Sequence, residues 1–158
     1  MKPMRILAAL SFVVLIASSV NAQGLGYVEG GLAGVHGFFG QWSDSTHVGG
    51  GGEAVIADHV GVGAEVGFFN RLIVLSPNAT VHLGGVANAK FSPFVTAGYS
   101  WMGIGDGEGM FDAYNIGAGF NYWAGDRVAF RMEFRDHFRP DDRGTVQYWS
   151  VRAGVSFR

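Results

Sequence analysis

Apolar side chains recur at every second position along most of this chain, and polar residues or glycine fill the positions between. The pattern is sharpest over residues 115–135. Ile116, Ala118, Phe120 and Tyr122 alternate with Asn115, Gly117, Gly119 and Asn121. After the short turn Ala124-Gly125-Asp126-Arg127, Val128, Phe130, Met132 and Phe134 share one parity and Arg131, Glu133 and Arg135 the other. Successive strand side chains point to opposite faces, so this segment is a predicted β-hairpin with one apolar and one polar face.

The same period predicts six further strands. Residues 25–35 set Glu29 against Val28 and Leu32, and residues 48–57 set Glu53 against Ala54 and Ile56. Over 60–70, Gly61, Gly63, Glu65 and Gly67 oppose Val62, Ala64, Val66 and Phe68. The fourth strand, 72–85, has His82 against Val81 and Leu83, but Pro77 cannot donate to a ladder and is expected to mark a bulge or a loop edge. Residues 91–101 put Val95, Ala97, Tyr99 and Trp101 opposite Thr96, Gly98 and Ser100. The last strand, 145–158, puts Trp149, Val151, Ala153, Val155 and Phe157 opposite Ser150, Arg152, Gly154 and Ser156. No segment reads as a helix.

Polar or glycine-rich stretches at 36–47, 103–109 and 139–144 read as loops. Connections one, three, five and seven are therefore expected to be longer than two, four and six. Eight antiparallel strands with alternating long and short connections are the layout of a membrane barrel. The faces bear on the same choice. With the apolar side outward, Glu29, Glu53, Glu65, Arg131, Glu133, Arg135 and Arg152 all point into one lumen. Isolated charges in a narrow interior are costly, whereas a nearly balanced set can pair and hydrogen-bond. Tyr99, Trp101, Tyr122, Trp149 and Phe157 then lie on the outside near strand ends, where aromatic rings favour the membrane–water boundary. The opposite choice, a soluble periplasmic barrel around an apolar ligand, is the alternative that these faces leave.

The N-terminus changes the picture most. Lys2 and Arg5 precede an apolar run over 6–17, and Val20-Asn21-Ala22 is a suitable cleavage site. That is the layout of a secretory signal peptide over residues 1–22, with a single domain at 23–158. No later stretch is long enough and apolar enough for a spanning helix. The chain carries a net charge of −2 and no cysteine. With Lys90 the only lysine outside the leader and no basic run, nucleic-acid binding is excluded. The 26 glycines, with 13 phenylalanines among many aromatics, suit a strongly curved sheet.

Several stretches resemble those of small bacterial outer-membrane β-barrels, the family of the transmembrane domain of outer membrane protein A. They are Ser92-Pro93-Phe94-Val95-Thr96-Ala97-Gly98-Tyr99, Gly117-Ala118-Gly119-Phe120-Asn121-Tyr122-Trp123, Arg131-Met132-Glu133-Phe134-Arg135-Asp136-His137 and Val151-Arg152-Ala153-Gly154-Val155-Ser156-Phe157. The resemblance implies an eight-stranded up-and-down transmembrane β-barrel in the outer membrane, with both termini in the periplasm. It also implies contact with outer-membrane lipids and lipopolysaccharide, and insertion by the barrel assembly machinery through a C-terminal aromatic signal. Here Phe157 is penultimate and Arg158 last, a small departure. No peptidoglycan-binding segment follows, so anchoring to the cell wall is not expected.

Candidate chemistry is sparse. The stretch Gly103-Ile104-Gly105-Asp106-Gly107-Glu108-Gly109 has the glycines of a phosphate loop, but no helix follows and its acids repel phosphate. Asp106, Glu108 and Asp112 could contribute to a calcium site, and His36 with His47 would need a third ligand to hold a metal. Some eight-stranded outer-membrane barrels modify lipid A. His137 is the best-placed base and Ser150 or Ser156 the available nucleophiles, yet Asp136 lies on the face opposite His137 and cannot orient it. A wide channel does not fit, because side chains roughly fill an eight-stranded interior. The expected protein is a non-enzymatic scaffold without cofactor or metal. It would display surface loops over a lumen plugged by paired charges; lipid A modification on the same fold is the alternative.

Overall fold

The computed structural model describes residues 33–42, 45–69, 72–84, 90–104, 109–141 and 144–157. The expected signal peptide at 1–22, Glu29, Asp106 and Glu108 lie outside these described residues. Eight strands follow one another: β1 (Ala33–Trp42), β2 (Ser45–Ala57), β3 (Val60–Phe69), β4 (Leu72–His82), β5 (Phe91–Ile104), β6 (Met110–Trp123), β7 (Val128–Asp141) and β8 (Gly144–Phe157). Each pairs antiparallel with the next, and β1 also pairs with β8, so the sheet closes into an up-and-down barrel. Closure removes every free edge and satisfies the backbone within the sheet.

Three boundary expectations need correction. The first strand is β1 at Ala33–Trp42, and β2 starts at Ser45, so most of the stretch read as a long first loop is strand. Its polar residues were misleading because they line the interior: His47 is buried, and His36 and Phe38 share the inward parity. The alternation of long and short connections is also absent. Residues 43–44, 70–71, 105–109 and 142–143 separate the strands at one end, while residues 58–59, 83–90 and 124–127 separate them at the other. Strands β5 to β8 run further than the sequence pattern suggested and absorb much of the two later loops. Finally, Pro77 marks no bulge. It sits inside β4 opposite Ala64; the ladder to β5 is interrupted at Ser76 and Pro77 but continues from Leu75↔Trp101 to Asn78↔Gly98 without a change of register. Among the described residues the register shifts between Val55 and Ala57, where β2 meets β3.

Glycine makes room for the interior. A Cβ on Gly51 would lie 2.6 Å from Cγ of Glu65 and 2.5 Å from the Ala64 carbonyl oxygen, closer than real contacts allow. Gly51→Ala is therefore expected to cost about 1–3 kcal/mol in a urea titration, as overpacking in a filled interior does. An unchanged midpoint would show that Glu65 is free to move aside.

Candidate functional site: the lumen and the outer wall

Parity sends every second side chain inward, and the inward set is where the charges collect. Glu65 on β3 and Glu133 on β7 form the centre. The Glu65 carboxylate accepts from Nη1 of Arg135 at 2.6 Å and from Nη1 of Arg152 at 2.9 Å. Nε2 of His36 lies 2.8 Å from its other oxygen. One oxygen of Glu133 accepts from Nη2 of Arg135 and Nη2 of Arg152, both at 2.6 Å, and the other accepts from Nη2 of Arg131 at 3.0 Å. Arg135, only 1% exposed, thus bridges both acids. These bonds tie β3 to β7 and β8 straight across the barrel.

Two carboxylates hold three guanidiniums, so the knot carries a surplus positive charge, which two rings help to absorb. Arg131 lies 4.0 Å from the ring centre of Phe94, and Arg152 lies 4.2 Å from that of Phe38. A guanidinium over a ring face is attracted by the ring quadrupole.

Of the seven residues assigned to the lumen from sequence, the structure joins Glu65, Arg131, Glu133, Arg135 and Arg152. Glu53 points inward but stands apart, paired at 2.5 Å with Nε2 of His82 near the end where β2 turns into β3. Glu29 is outside the described residues. The pattern missed His36, Phe38 and Phe94. His36 was placed in a loop, and inward aromatics break the polar rule that identified the lumen.

The other residues singled out for chemistry do not form a catalytic group. Asp136 faces outward and His137 inward, as parity requires. Ser150 donates to the Arg135 carbonyl at 3.4 Å, and Ser156 donates to Oδ1 of Asn121 at 3.2 Å. All three inward residues are buried. His36 bonds Glu65, and His47 packs on Phe69 at 4.4 Å between ring centres. No group of three or more metal-ligating side chains occurs among the described residues.

The outer face is the reverse of a soluble surface. Phe39 is 63% exposed, Ile116 56% and Phe134 50%, with valines on β2, β3, β4, β5 and β8 between them. Aromatic rings gather at two heights. Trp101, Tyr99, Tyr114 and Phe138 pack ring against ring at one end, with Trp149 beside them, and the Tyr99 hydroxyl donates to Asp112. Phe91, Phe120 and Phe130 stack at the other, near Tyr122, Phe157 and the Lys90 ammonium that lies over the Tyr122 ring. Tyr114 and Tyr122 on β6 are about 26 Å apart along the strand at roughly 3.3 Å per residue, or about 20 Å of height after a tilt near 40°. That matches an apolar band between two aromatic girdles.

No family model and no curated protein matches the sequence. Solved structures do match the fold. The N-terminal β-barrel domain of OprF from Pseudomonas aeruginosa aligns with a TM-score of 0.68 at 20% identity, over 79% of this chain and 95% of that one. The fold is that of the small outer-membrane β-barrels. A de novo designed transmembrane β-barrel aligns at 0.63 with 18% identity, over 81% of this chain and 94% of the design. Neisserial surface protein A aligns at 0.60 with 12% identity, over 79% and 94%. On such a fold, an apolar wall between aromatic girdles is suited to span a bilayer.

Proposed function

We propose that this protein is a non-enzymatic outer-membrane scaffold whose lumen is plugged by paired charges and whose outer-end connections are its display surface. The observation that carries the reading is the knot of Glu65, Glu133, Arg131, Arg135 and Arg152. Each of the five is at most 6% exposed, and each has a partner of opposite charge. Eight strands leave an interior that side chains roughly fill, so a knot spanning it leaves no continuous path for a hydrated solute. The wall contacts membrane lipids, with lipopolysaccharide at the outer girdle. Insertion uses the barrel assembly machinery, with Phe157 in the C-terminal aromatic signal.

Lipid A lies outside the barrel, whereas His137, Ser150 and Ser156 are buried within it. Two measurements test the reading. The purified barrel, folded as judged by heat-modifiable gel mobility, is expected to carry no step-like current in a planar bilayer. Lipid A from cells with and without the protein is expected to give identical mass spectra. Discrete conductance steps would remove the plug, and a mass change in lipid A would make the protein an enzyme.

A further inference from the structure

We infer that the lumen has a second seal, independent of the charge knot: an apolar closure at the end where β5 meets β6, level with the outer aromatic girdle. The interior changes character there on four strands at once. Along β4 the inward residues step from Ser76 to Val74, and along β5 from Ser100 to Met102. Along β6 they step from Asn115 to Ala113, and along β8 from Ser150 to Tyr148. Phe69, Val74, Met102 and Ala113 form one buried apolar cluster, with Phe111 and Tyr148 packed against it. Met102 is 0% exposed.

On β6 and β8 the outward residues change in the opposite sense. Asp112 and Gln147 point out at this height, where Ile116 and Val151 point out lower down. On these two strands the alternation inverts at the girdle. Inside the bilayer the wall is apolar and the lumen polar; beyond it the wall meets water, and the hydrophobic effect again favours an apolar interior. Directly beneath the closure, Ser76, Ser100 and Asn115 bond to one another, with Ser76 Oγ 2.8 Å from Ser100 Oγ and Asn115 Nδ2 donating to Ser100 at 2.9 Å. Arg139 over the Phe111 ring and His47 against Phe69 flank the closure. An ion that enters from outside must shed water against Met102 and Phe69 before it reaches Ser76, Ser100 and Asn115, and such constrictions close by dewetting. The closure uses none of the five knot residues. It rests on the plugged-lumen reading but assigns the outer barrier to different side chains.

The chain has no cysteine, which gives a clean background for accessibility. Ser100→Cys reports from beneath the closure and Gln147→Cys from the outer wall. Both are placed in sealed vesicles, with orientation read from Asp126→Cys in the turn between β6 and β7. A membrane-impermeant cationic methanethiosulfonate is added to the side facing the β5–β6 end. Ser100→Cys is expected to react at least roughly tenfold more slowly than Gln147→Cys, the factor that a local opening cost of about 1.4 kcal/mol imposes. Adding Met102→Ala and Phe69→Ala should abolish that protection, whereas adding Glu133→Gln should leave it. If the double variant fails to fold by gel mobility, Met102→Ser alone replaces it, with Ser150→Cys as a second reporter.

Fast reaction of Ser100→Cys behind an intact closure overturns the inference. So does protection that survives loss of Met102, or exposure on Glu133→Gln alone. The two barriers fail separately. A reactive Ser100→Cys in a barrel that carries no current removes the apolar closure and leaves the knot standing, while current through the native barrel removes both barriers.

Discussion

Glu133→Ala is expected to lower the unfolding free energy of the barrel by about 3–5 kcal/mol, the usual cost of breaking a buried pair and leaving its partners uncompensated. Three guanidiniums meet at this carboxylate. Arg135 and Arg152 retain Glu65 when it is removed, whereas Arg131 loses its ion pair. The surplus positive charge of the knot then rises from one to two in a place that water does not reach. Asp58→Ala, in the exposed turn between β2 and β3, should move the midpoint by less than about 0.5 kcal/mol. Urea titration in micelles, followed by gel mobility, compares the two, and equal midpoints would show that the knot does not hold the barrel. The double change Glu133→Ala with Arg131→Met should recover part of the loss, by about 0.5–3 kcal/mol of coupling, because it removes the charge most dependent on Glu133.

How far this knot was legible in the sequence follows from what parity can carry. Period two states which face a residue occupies. It placed Arg131, Glu133 and Arg135 on the inward face, opposite Asn121, Gly119 and Gly117 of the neighbouring strand, as the register has them. It does not say where around the barrel a strand lies, so the bonds from Glu65 to Arg135 and Arg152 could not be read from it. Those bonds depend on closure of β8 against β1, which only the folded chain expresses.

Two other regions were misread for one physical reason: the meaning of apolar and polar changes along the barrel. In β1 and β2 the inward residues include histidine, phenylalanine and glycine, a mixture with no clean face, and the stretch passed for a loop. In β6 the reading stopped at Asn115 although the strand begins at Met110. There Phe111 and Ala113 are inward and Asp112 outward, the reverse of Asn115 and Ile116. A pattern followed on the assumption of an apolar outer face ends where the outer face meets water. The discarded boundary was the bilayer boundary itself.

The apolar wall yields the second large effect. Phe134 lies half-exposed on β7, opposite Ala118 of β6 and Val151 of β8, and Ala118 is midway between Tyr114 and Tyr122. Phe134→Arg therefore places a charge near the middle of the apolar band. A lipid-facing arginine at the bilayer midplane costs about 2–4 kcal/mol, and one near the interface about 0–1 kcal/mol. Phe134→Arg should lose that larger amount in lipid vesicles, and Tyr122→Arg, at the girdle, should lose little. A water-facing wall makes the opposite prediction, since exchanging an exposed phenylalanine for arginine on a soluble barrel is close to neutral and improves solubility. Equal stability of the two variants in vesicles, with Phe134→Arg recovered in the soluble fraction of cells, would turn the barrel inside out. A gradient from Phe134 to Tyr122 instead fixes the outer face as the one in contact with lipid.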